Sequence, residues 1–251
     1  MEALADILGL SPGDALQVAL IVFFAGLVRG FAGFALSALV MSGAAMILAP
    51  VELLPICWFL ELAASILMTR GGARAGETRV AISLVTMGAV GIPVGLYLTT
   101  SLPVEASRLM ALSVILALAA LQMWRLRLPW LATRAGLLST GVVAGIVTGL
   151  AGVGGMVVAL YVLARDAPAA AMRGTMVLFL VFGSITSLVM LVLFGLMTEL
   201  SVIRGLALGA PTMLGVFIGA RFFTARLAHL YRPFCLALLI GLALLGMARA
   251  L

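Results

Sequence analysis

The chain has 251 residues, of which 65% are hydrophobic and only 10% charged, and its mean hydropathy is +1.31. A soluble globule keeps about a quarter of its residues charged, so this composition excludes a water-soluble fold and places the chain in lipid. The net charge of +6 rests on arginine alone, with no lysine anywhere. These arginines stand mostly at the ends of apolar segments, where they mark topology and meet phospholipid headgroups rather than nucleic acid.

Apolar runs fall in order at Ala15–Leu48, Leu53–Thr69, Arg79–Thr100, Val104–Trp124, Thr133–Ala164, Ala171–Met197, Ser201–Phe223 and Arg232–Ala250. Residues 1–14 form an N-terminal segment. Glu2, Asp6 and Asp14 lie where a cleavable signal would be positive, so none is expected. A membrane crossing needs about 20 residues, which suits most of the runs. The first and fifth are too long for one crossing, and each is broken by glycines.

The first break reads AGLVRGFAGFAL over 25–36, and the second reads AGIVTGLAGVGG over 144–155. They are identical at Ala25/Ala144, Gly26/Gly145, Val28/Val147, Gly30/Gly149, Ala32/Ala151 and Gly33/Gly152. Further matches follow: Gly91-x-x-x-Gly95 with Gly215-x-x-x-Gly219, Arg108 with Arg232, and Ser65-Ile66 with Ser184-Ile185. The expected fold is therefore an all-α polytopic membrane protein of two homologous repeats, 15–124 and 133–251, joined by a linker at 125–132. Pro93 and Pro211, inside spans, are expected to kink them.

Each break is either a kink in one long span or a half-helix hairpin that enters and leaves on one side. Arginine bias decides between them. Kinked spans make eight crossings with the N-terminus inside and leave Arg108, Arg165, Arg173, Arg221, Arg226 and Arg232 outside. Hairpins with the N-terminus outside leave only Arg108, Arg204 and Arg249 there, so hairpins are preferred. A hairpin plus three spans then inverts the second repeat relative to the first, a common plan of secondary transporters.

Non-helical backbone inside a bilayer must be buried in protein or reached by water. A half-helix starting at such a break offers free N–H groups to an anion. The expected anion site comprises Arg29, Gly30 and Gly33 of the first break with Thr148, Gly152, Gly154 and Gly155 of the second; the alternative is that these glycines merely let helices pack tightly. Ser65, Ser184, Thr186 and Ser187, on the spans that follow, are further candidate contacts, with hydroxyls bonding to their own helix as the equal alternative. An arginine inside an apolar run is costly unless it faces protein or water, and its guanidinium suits sulfonate, carboxylate or phosphate; snorkelling or a purely structural ion pair are its bland alternatives. Glu61 is the second buried ionisable group. Burial disfavours charge on a carboxyl, which makes it the candidate proton carrier, with simple neutralisation of Arg29 as the alternative. Cys57 and Cys235 read as small buried residues, and His229 as a solvated loop residue.

The duplicated AG-x-x-x-G-x-AG element in a chain of this length resembles the sulfite exporter TauE/SafE family of bacterial inner-membrane proteins. AGLVRGFAGF resembles one branch of that family, and GLAGVGG its usual glycine cluster. The sequence departs from the pattern at Ala35, where a further glycine is usual, and at Met41, where a proline is often found. The resemblance implies transport of sulfite, sulfoacetate or related organic anions.

The expected function is thus secondary transport of a small anion, coupled to protons, in the bacterial inner membrane. Its partners are the anion, protons and membrane lipids, with no nucleic acid and no cofactor; a homodimer is compatible with it. A metal-cation transporter would need His, Asp and Cys ligands that the spans lack. An enzyme would need a nucleophile–base pair or metal cluster that is not evident. A sensor or assembly subunit without transport is the remaining alternative.

Overall fold

A computed structural model of the chain describes residues 2–32, 35–68, 76–124, 129–165, 169–222 and 228–250. Every regular element among them is helical: α1 (Glu2–Leu8), α2 (Pro12–Ala32), α3 (Leu36–Ala44), α4 (Pro50–Met68), α5 (Thr78–Ser101), α6 (Val104–Met123), a 3-10 turn (Pro129–Ala132), α7 (Arg134–Ala151), α8 (Gly154–Ala164), α9 (Ala169–Leu193), α10 (Glu199–Phe222) and α11 (Ala228–Ala250). Seven of these, α2, α4, α5, α6, α7, α9 and α10, are long and apolar enough to cross a bilayer, and α11 carries a shorter apolar stretch. The protein is an all-helical, polytopic membrane protein. The loops carrying Arg70, Arg74, Arg125, Arg127 and Arg226 lie outside the described residues, as do the side chains of Arg173, His229 and Arg232.

Local chemistry sets the helix starts. Before α2, the Ser11 hydroxyl accepts the Asp14 N–H at 3.2 Å, and Pro12 takes the first helical position, where no N–H is needed. Thr133 does the same for α7, accepting the Gly136 N–H at 3.0 Å. Pro93 and Pro211 lie within α5 and α10, whose helical assignment runs through them unbroken.

Both overlong runs are indeed broken. The first divides into α2 and the nine-residue α3. The second divides into α7 and the eleven-residue α8. α3 doubles back along α2, since a methyl placed on Gly43, near the end of α3, would lie 3.0 Å from the Ile21 side chain. α8 starts equally close to α7, with Gly154 against Thr148 and the Ala144 carbonyl.

Helix packing crosses from one half of the chain to the other. In α5, Gly91 and Gly95 lie against the carbonyls of Val142 and Ile146 of α7; in α10, Gly215 and Gly219 lie against those of Phe23 and Leu27 of α2. Equal four-residue steps in the same order make both pairs parallel. Without side chains at these steps the backbones touch, as small-residue seams in membranes allow. α6 packs on α11. Two ion pairs join helix ends. Arg204 of α10 pairs with Glu52 of α4 at 2.9 Å and donates to the Leu8 carbonyl at 2.8 Å. Arg165, after α8, pairs with Glu77 at 3.0 Å, and the Glu77 N–H donates to the Thr175 hydroxyl of α9.

Candidate functional site

The two breaks face one cavity. Its volume is about 340 Å³, and α2 to α5 and α7 to α9 contribute to its wall. Arg29, Glu61, Ser65, Thr148, Gly152, Gly154, Gly155 and Ser184 all line it. The breaks also approach each other: Ser37 and Cys57 lie within 3.8 Å of the position a methyl on Gly152 would take.

One end of the cavity is charged. The Arg29 guanidinium is buried and stands 3.2 Å from the Glu61 carboxylate. The other Glu61 oxygen accepts from the Ser37 hydroxyl at 2.9 Å and from the Ser37 backbone N–H at 3.3 Å. Ser37 is the second residue of α3, so the half-helix directs a first-turn N–H and its dipole's positive end at a carboxylate. The geometry is that of an anion site with the protein's own carboxylate seated in it. Arg29 therefore faces protein, and does not snorkel.

Backbone geometry at the breaks is left-handed. Gly152 closes α7 at φ 70, which glycine adopts without steric cost. Ala35 precedes α3 at φ 73 and is the one non-glycine residue of positive φ among the described residues. Ala35, one of the two positions at which the resemblance noted from the sequence is imperfect, is thus a place where a Cβ is strained. At the second break, the first two N–H groups of α8 belong to Gly154 and Gly155 and have no partner within their own helix.

Several expected contacts are placed otherwise. Gly30 does not line the cavity. A Cβ there would collide with the Val216 carbonyl and the Ala220 nitrogen of α10, so its role is close helix packing. Gly33 lies outside the described residues. The Thr148 hydroxyl, expected as a donor to the anion, donates to the Ala144 carbonyl at 2.7 Å, and that of Ser184 to Val181 at 2.7 Å. Both take the back-bond to the preceding turn that hydroxyls favour in helices.

Other lining residues escape the sequence pattern. Ser37 does so because it belongs neither to a glycine cluster nor to the span after a break, but to the short helix between them. Trp58 lines the wall and donates its indole N–H to the Ser184 carbonyl at 2.8 Å, tying α4 to α9 across the cavity. Cys57 is buried as expected, and its surface is cavity wall. Among the described residues no group of three or more His, Cys, Asp or Glu could hold a metal ion.

A polytopic helical bundle that brings two broken helices and a buried ion pair to one internal cavity has the build of a membrane transporter. The family model of the sulfite exporter TauE/SafE matches residues 18–246, and the chain belongs to that family. No curated protein and no solved structure matches the chain.

Proposed function

We propose that the chain is a secondary transporter of a small anion, such as sulfite, a sulfonate like sulfoacetate or a small organic acid, working across the bacterial inner membrane and coupled to protons. The observation that carries this reading is the occupant of the α3 N-terminus: Arg29 and Ser37 hold the carboxylate of Glu61. A substrate anion competes for the same donors. A proton on Glu61 removes its charge and frees them, so proton binding and anion binding support each other. Charge release at one site then gives the coupling, with no second site needed.

The topology we read for this function is that of inverted repeats, 15–124 and 133–251. Equivalent residues make equivalent contacts, Gly91 to Val142 as Gly215 to Phe23. Both ion pairs support the hairpins. Kinked spans would put Glu52 and Arg204 on opposite sides of the membrane, and likewise Glu77 and Arg165, whereas hairpins put each pair on one side.

The test uses purified protein in liposomes with an imposed pH gradient and labelled sulfite, sulfoacetate and lactate. Wild type accumulates at least one of them. Arg29→Ala lowers the rate by about 10- to 100-fold, the value of one charge-assisted contact. Glu61→Gln retains exchange but no longer responds to the gradient. Normal uptake by Arg29→Ala sinks the proposal.

A further inference from the structure

The charged end takes up little of the cavity. Beyond Arg29, Glu61 and Ser37 the wall is built from side chains such as Val85, Ile92 and Leu96 of α5 and Met176, Phe179 and Leu180 of α9. Of the hydroxyls in it, those of Thr148 and Ser184 are already committed as donors to carbonyls of their own helices, and that of Thr186 stands 3.5 Å from one; Ser65 and Ser187 are the remaining hydroxyls of the spans after the breaks that line it. A cavity of about 340 Å³ has space for on the order of ten water molecules at about 30 Å³ each. An inorganic anion of four heavy atoms at the charged end leaves most of that space facing apolar wall. Along α5 and α9, away from the Gly154 and Gly155 N–H groups at the start of α8, a second charged or strongly polar group, such as the carboxylate of sulfoacetate, would lose its water with few donors in return.

We infer that the preferred substrate is an amphipathic organic monoanion, a sulfonate or carboxylate with an uncharged aliphatic or aromatic body, rather than sulfite itself. This rests on the transport reading above and narrows it. The headgroup takes the place of the Glu61 carboxylate at Arg29 and Ser37, while the body lies along α5 and α9. Gly183 of α9 limits the body's length: it lines the cavity, and a Cβ built on it meets no atom within 4 Å.

The experiment is calorimetric titration of the full chain in lipid nanodiscs with methane-, ethane-, propane-, butane- and benzenesulfonate, beside sulfite and sulfoacetate. Alcohols of the same chain lengths serve as uncharged controls. Affinity is expected to rise about fourfold per methylene up to butanesulfonate, with benzenesulfonate comparable and the alcohols not bound. Gly183→Leu is expected to leave methanesulfonate unchanged and weaken butane- and benzenesulfonate at least tenfold. Sulfite or sulfoacetate binding more tightly than butanesulfonate overturns the inference while leaving anion transport standing. Alcohols that follow the same slope overturn it as lipid partitioning, and an unaltered series in Gly183→Leu overturns it by removing the body from this wall. Failure of every anion to bind removes the transport reading as well.

Discussion

Glu61 accepts from two donors of one residue and faces a guanidinium, all in a largely buried setting. Removing one member of a buried pair leaves the other uncompensated. Arg29→Met should therefore lower stability by about 3 kcal/mol, and Arg29→Met/Glu61→Gln should recover most of that loss. Thermal unfolding in detergent measures the cycle; equal losses in the single and double variants would deny the coupling. Backbone strain makes a second prediction with opposite signs at two positions. Ala35→Gly relieves a left-handed alanine worth about 1–2 kcal/mol, against about 0.5–1 kcal/mol of added chain entropy, so it is neutral to mildly stabilising. Gly152→Ala makes only ordinary van der Waals contacts, with Ser37, Cys57 and Leu54, yet costs about 1–2 kcal/mol from the φ of 70 alone. The same melting curves read both.

At the scale of the element, the seams between α5 and α7 and between α2 and α10 leave no space for a methyl group. Gly91→Ala and Gly215→Ala are expected to destabilise by about 1–3 kcal/mol, since the atoms in the way are backbone and cannot rotate aside. Gly209→Ala and Gly241→Ala, where nothing lies within 4 Å, should be neutral or gain up to about 1 kcal/mol in helix propensity. Scanning calorimetry of the four variants checks the contrast. Sequence alone reveals the breaks, because runs of thirty-odd apolar residues cannot cross once and glycine permits a turn. It marks Gly30 and Gly91 alike as small, without revealing that each abuts a helix from the other half. The motif's own repetition hides that difference: Gly30 belongs to the seam and Gly152 to the cavity, though both sit in one duplicated phrase. Ser37 is legible only once α3 is known to start at Leu36, since a serine gains meaning as an anion donor from its place in a first turn.

For the whole molecule, the proposed topology sets which helix ends share a side, and surface labelling tests this directly. Exposed positions Ser11, Ser101, Glu199 and Thr133 accept cysteine without touching the core. With hairpins, Ser11→Cys, Ser101→Cys and Glu199→Cys react with a membrane-impermeant maleimide from outside, and Thr133→Cys does not. Eight kinked spans would instead shield Ser11→Cys and Glu199→Cys.

The parallel pairing of α2 with α10 and of α5 with α7 interleaves the halves of the chain. It has a consequence during synthesis. α2 enters the bilayer with Gly26 and Gly30 bare, and the helix they fit has yet to be translated. Until α10 arrives that bare stripe is covered by lipid or by the insertion machinery, and the newborn first half has no finished core to stand on. Fragments ending and restarting in the stretch after Trp124 should be degraded when made singly, yet should assemble into a working protein when made together in one cell.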